Sequence, residues 1–129
     1  MKRFVGRLSL ASVICVAVLG MGVMAWAAKP IIVGVPTSLG FLEGKESLRA
    51  VKMAVEEINE AGGVMVGDEK RPFAVESLDI RDAAPGVPVP DALLGIEKII
   101  LEKKPAALLV GPFRSEALLA AMDLIAKHR

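Results

Sequence analysis

Cysteine is nearly missing from this 129-residue chain: Cys15 is its only one. That excludes an intramolecular disulfide, and the place of Cys15 inside an apolar N-terminal run removes thiol chemistry from the rest of the chain. Histidine is as scarce. His128 stands one residue from the end and has no partner for acid–base work. Tyrosine is absent and Trp26 is the single tryptophan. Charge of one sign is also lacking, since 16 Lys and Arg face 15 Asp and Glu. A balance so close to neutral leaves no electrostatic footprint for nucleic acid. Nucleotide motifs are missing too: the first loop, Gly34 to Gly40 (GVPTSLG), is neither a G-x-G-x-x-G turn nor a Walker loop with its lysine. No nucleophile is paired with a base, so no catalytic residue and no cofactor are assigned, and the chain does not read as an enzyme.

What is present begins with a leader. Lys2, Arg3 and Arg7 form a basic start, and Leu8 to Ala28 carries no charge. Ala25-Trp26-Ala27 supplies the small-x-small pattern that a signal peptidase cuts after. An uncharged run of this length could also serve as an uncleaved anchor, but Gly20, Gly22 and the Ala-x-Ala pattern favour cleavage after Ala27. Ser12-Val13-Ile14 lacks the small residues that lipid attachment at Cys15 would need. Residues 1–27 are therefore expected to be a signal peptide. Its removal takes away three basic residues and leaves 102 residues with 13 basic against 15 acidic side chains. An exported, disulfide-free domain suits a bacterial periplasm.

The remaining chain alternates strand and helix patterns. Ile31 to Val35 is a β-branched run that predicts a buried strand, followed by a loop over Pro36 to Gly44. Lys45 to Ala61 has helical spacing, with Leu48, Val51, Val55 and Ile58 on one face and Gly62-Gly63 as a left-handed stop. Val64 to Arg71 reads as a polar turn, and Phe73 to Leu78 alternates like a strand near a sheet edge. Ala83 to Pro90, with three prolines and a glycine, is a loop; Asp91 to Lys103 returns to helical spacing. Ala106 to Val110 then predicts a short buried strand broken by Gly111-Pro112. Ser115 sits where a helix N-cap belongs, with Leu118, Leu119, Met122 and Ile125 recurring behind it.

The order β-α-β-α-β-α implies an α/β fold: a parallel sheet with right-handed crossovers, in three layers, αβα. If strand 1 lies between strands 2 and 3, the chain reverses direction across the sheet beside it. Ligands bind at the carboxyl ends of strands at such a point. The loops Pro36 to Gly44 and Gly111 to Ser115 would meet there, carrying Phe41 and Phe113. The turn into the last helix aims free N–H groups and the positive helix end at one spot, which suits a carboxylate. Ser115 reads as a ligand contact, a helix cap, or both. Arg114 reads as an anion partner or a solvated turn residue. Asp79 and Asp82 read as turn-solvating or capping residues, with no third ligand to suggest a metal.

Several of these stretches together resemble one family. They are Ile31-Ile32-Val33-Gly34-Val35-Pro36, Gly44, Ala54-Val55-Glu56-Glu57-Ile58-Asn59-Glu60-Ala61-Gly62-Gly63-Val64, Asp79, Asp82, Val110-Gly111-Pro112 and Ser115. The chain is similar in these to periplasmic binding proteins of the leucine/isoleucine/valine-binding type (type I fold). The resemblance implies a two-lobed receptor that closes on an amino acid or related small molecule and delivers it to an ABC permease in the membrane. It implies that Ser115 meets the ligand α-carboxylate, with Arg114 and Phe113 beside it, and that Leu39, Gly40, Phe41, Leu42 and Glu43 border the pocket. Arg114-Ser115-Glu116-Ala117 and Glu43 depart from the family pattern, which leaves the ligand side chain open. Residues 28–129 would be part of the N-terminal lobe, so the chain reads as an N-terminal fragment. A ligand-sensing receptor domain of the same fold and a small flavodoxin-like enzyme are the alternatives.

Overall fold

β1 (Ile31–Thr37) is the centre of the sheet in the computed structural model, which describes residues 28–128. The segment read as a signal peptide, Cys15 included, lies outside the described residues. β1 pairs in parallel with β4 (Phe73–Asp79) from Ile31↔Phe73 to Thr37↔Asp79. On its other side it pairs with β5 (Ala107–Leu108) through Val33↔Ala107 and Gly34↔Leu108. The sheet order is β4-β1-β5, the expected arrangement with the first strand in the middle. A strand flanked on both sides and covered on both faces loses nearly all contact with water, and Val33 to Ser38 are all buried.

α1 (Leu42–Glu60) packs mainly over β4, and α2 (Val89–Lys103) packs with α3 (Ser115–Lys127) across the other face. The side-chain alternation of β1 separates the two faces. Val33 points toward α1, whereas a Cβ on Gly34 would meet Leu108 Cδ2 at 2.6 Å and Ile99 of α2 at 3.4 Å. The α2/α3 face holds the core: Ile80, Ala92, Ile96 and Ala121, with Leu93, Ile100, Leu108, Leu124 and Ile125 packed around them. The fold is thus α/β with a parallel three-stranded sheet.

Several boundaries differ from the sequence expectation. α1 begins at Leu42 instead of Lys45, because Gly44 packs directly against the Ser38 carbonyl and lets the first turn form beside the end of β1. Residues 64–71 are a hairpin of β2 (Val64–Val66) and β3 (Glu69–Arg71), turning through Gly67-Asp68 with Gly67 at φ 63°. β5 is shorter than Ala106 to Val110, since Val110 already adopts φ 56° and ends the strand. The buried side of α3 is Ala117 and Ala121, with Leu124 and Ile125 half-buried. Leu118, Leu119 and Met122, expected to pack, are exposed. Of the buried alanines, Ala121 packs in one cluster with Ala92 and Ile96 of α2.

The expected helix stop does form. Gly62 and Gly63 both take positive φ, and their amides donate to Asn59 O and Ile58 O at 2.9 Å each. Asn59 adds a second tie. Its Nδ2 donates to Phe73 O at 2.9 Å and its Oδ1 accepts from Phe73 N–H at 2.8 Å, so the end of α1 hydrogen-bonds the start of β4.

α1 does not reach over β5. Val33, Val55, Ile58, Phe73, Ala107 and Leu109 line an apolar groove of about 310 Å³ between α1 and the sheet. Among the described residues β5 pairs on one side only, and Leu109, Val110, Leu118 and Met122 stay exposed near that edge. No helix among the described residues is long and apolar enough to cross a membrane.

Candidate functional site

Two neighbouring strands, β1 and β5, release their chains at the same end of the sheet, and each chain runs into a helix. After β1 come Ser38, Leu39, Gly40 and Phe41, then α1. Phe41 is the N-cap residue, its amide bonded to Ser38 O at 3.2 Å, and no side chain caps the helix. Of the five residues expected to border a pocket, Leu39 is half-buried and Gly40, Phe41, Leu42 and Glu43 are exposed. Leu42 and Glu43 belong to the first turn of α1, not to a loop as expected.

The second arm runs from Val110 to Ser115. Phe113 is exposed, so the arms carry one phenylalanine each, Phe41 and Phe113, with faces open to solvent. Ser115 is not the cap that the sequence pattern suggested. The N-cap is Arg114, again without a side-chain cap, and Ser115 is the first helical residue and exposed. The first intrahelical bond is Leu118 N to Arg114 O, so the amides of Ser115, Glu116 and Ala117 precede the helix ladder.

Arg114 does not reach out as a free anion partner. Its Nη2 donates to Val87 O at 3.0 Å, its Nη1 lies 3.4 Å from Glu116 Oε1, and Nε is buried with no partner among the described residues. The guanidinium is engaged with the loop before α2. It anchors the turn from below.

The two aspartates at and beyond the end of β4, Asp79 and Asp82, do more than solvate their own turn. Asp79 Oδ1 accepts from Leu39 N–H at 3.0 Å and from Arg81 N–H at 3.1 Å. Asp82 is fully buried. Its Oδ1 accepts the Ser38 hydroxyl at 2.6 Å, and its Oδ2 accepts the Arg114 N–H at 3.0 Å. Ser38 Oγ in turn accepts from Ala83 N–H at 2.9 Å. The end of β4 therefore holds both arms. Sequence reading missed Ser38, whose only local signal was a hydroxyl straight after a buried strand. Among the described residues no three His, Cys, Asp or Glu side chains gather as a metal would need.

Chemically, the α3 N-terminus presents the exposed residues Ser115 and Glu116, whose amides precede the helix ladder, and the serine hydroxyl, while Ala117 is buried. The helix end favours negative charge, while buried Asp82 already occupies the Arg114 amide and opposes part of that preference. No known family model, curated protein or solved structure matches the chain.

Proposed function

We propose that the chain is ligand-binding sequence from an exported receptor, taking an amino acid or related small molecule at the carboxyl end of the sheet. The observation that carries this reading is the strand order β4-β1-β5, which makes the arms after β1 and β5 neighbours. In this reading the Ser115 hydroxyl and the amides of Ser115 and Glu116 receive the ligand carboxylate. Phe41 and Phe113 flank its apolar part, and Leu39, Gly40, Leu42 and Glu43 form the facing wall. Arg114 holds the turn in place without touching ligand.

The resemblance described above supports a type I periplasmic binding fold, of which residues 28–128 supply part of the first lobe. The free side of β5, with apolar surface near it on α1 and α3, is consistent with a sheet that continues beyond this strand. A second lobe would close over the crevice, bury the ligand and meet its ammonium group. Delivery to an ABC permease follows from the same resemblance.

Calorimetric titration of the gene product, with any sequence encoded after Arg129, tests the reading against the twenty L-amino acids. Saturable binding of at least one, lost when its carboxylate is amidated, is the expected result. Absence of binding across the set removes the amino-acid reading.

A further inference from the structure

Asp82 is a fully buried carboxylate, and no ion pair among the described residues involves it. A buried charge without a counter-ion is costly unless its oxygens are hydrogen-bonded. Both are: one to the Ser38 hydroxyl and the other to the Arg114 N–H. Because Ala83 N–H donates to Ser38 Oγ, the Ser38 proton is left to point at Asp82. The result is a short relay, Ala83 to Ser38 to Asp82, closed from the other side by Arg114. It joins the segments that follow β1, β4 and β5.

We propose that Asp82 is the positioning residue of the crevice, setting the β1 arm and the α3 turn in register before any ligand arrives. This rests on the ligand reading above. It adds that the donors of Ser115 and Glu116 are pre-organised by a residue that never touches ligand. A carboxylate suits the task because the position needs two acceptors, one of them for a backbone amide that can only donate. An asparagine supplies one acceptor. Turned to Arg114, it would offer its NH2 to Ser38 Oγ, which has lone pairs to accept it.

Hydrogen exchange of the processed chain at micromolar concentration, without ligand, tests this for Asp82→Leu, Asp82→Asn and Ser38→Ala. Asp82→Leu is expected to speed exchange of the Arg114 and Ala83 amides by about tenfold or more while the β1–β4 ladder keeps its protection. Asp82→Asn should restore the Arg114 amide. Ser38→Ala should release Ala83 and leave Arg114 slow. If Asp82→Leu does not fold, the contrast between the other two variants decides. Arg114 exchange in folded Asp82→Leu equal to wild type would overturn the proposal. Where Asp82→Leu does not fold, Ala83 exchange in Ser38→Ala as slow as in Asp82→Asn would do so, and so would a uniform loss of protection that Asp82→Asn does not rescue. No ligand enters the measurement, so its failure is distinct from failure of the amino-acid titration.

Discussion

The Ser38 hydroxyl donates to the Asp82 carboxylate at 2.6 Å, across 44 residues of sequence and inside the protein. The segment after β1 and the loop after β4 are locked together there, at the end of the sheet where the proposed site lies. Asp79 repeats the device at the surface, accepting from Leu39 N–H. Two aspartates from one strand end thus organise the arm that follows the neighbouring strand.

Ser115→Ala separates two roles. Since Arg114 is the N-cap and Ser115 is exposed, losing the hydroxyl should change stability by no more than about 0.5 kcal/mol. If Ser115 receives a ligand carboxylate, affinity should fall by about 1–3 kcal/mol. Denaturation and calorimetry on the ligand-binding form read the two effects independently. Unchanged affinity would take Ser115 out of the site.

Gly44→Ala should be costly although the residue lies in a helix. A Cβ there would run into the Ser38 carbonyl, which is backbone and cannot rotate away. Overpacking of this kind costs about 1–3 kcal/mol, against the small gain that alanine normally brings to a helix. A melting temperature equal to wild type would show that the α1 start can shift without strain.

Asn59→Leu removes both bonds to Phe73 and leaves its N–H and C=O without their partner. A loss of about 1–3 kcal/mol is expected in urea unfolding. Because the pairing ties the end of α1 to the start of β4, fast exchange at Phe73 should accompany it. Slow exchange there would mean that water or another group replaces the amide.

Residues 28–129 produced alone should associate through β5 as concentration rises, since among the described residues its outer side is unpaired, next to exposed Leu109 and Val110. Leu109→Lys should reduce that association in sedimentation experiments. In the proposed two-lobe mechanism millimolar L-leucine should leave the melting temperature of this piece unchanged. An upward shift would show that one lobe suffices for binding.

Processing is checked by intact mass after expression in a bacterium. Loss of Met1 to Ala27 is expected, with Ala28 as the new N-terminus. Trp26 leaves with the leader and the chain has no tyrosine, so absorbance at 280 nm should almost vanish. A full-length product in the membrane fraction would establish the anchor reading.

Much of the fold could be read from local pattern, because strand and helix periodicities and glycine stops are properties of neighbouring residues. The β-branched run at Ile31, the Gly62-Gly63 stop and the α2 spacing all lie where their chemistry places them. The strand order was open to sequence only by analogy with other parallel sheets, and the order β4-β1-β5 agrees with that analogy. Only tertiary structure decided what depends on contacts between distant residues. Gly44 against Ser38 moved the start of α1, and α3 buries Ala117 and Ala121 while Leu118, Leu119 and Met122 stay outside. Asp82 looked like a turn residue because its partners, Ser38 and Arg114, are 44 and 32 residues away. A hydrogen bond across that separation leaves no periodic trace in sequence; it exists because three parallel strands bring their ends together.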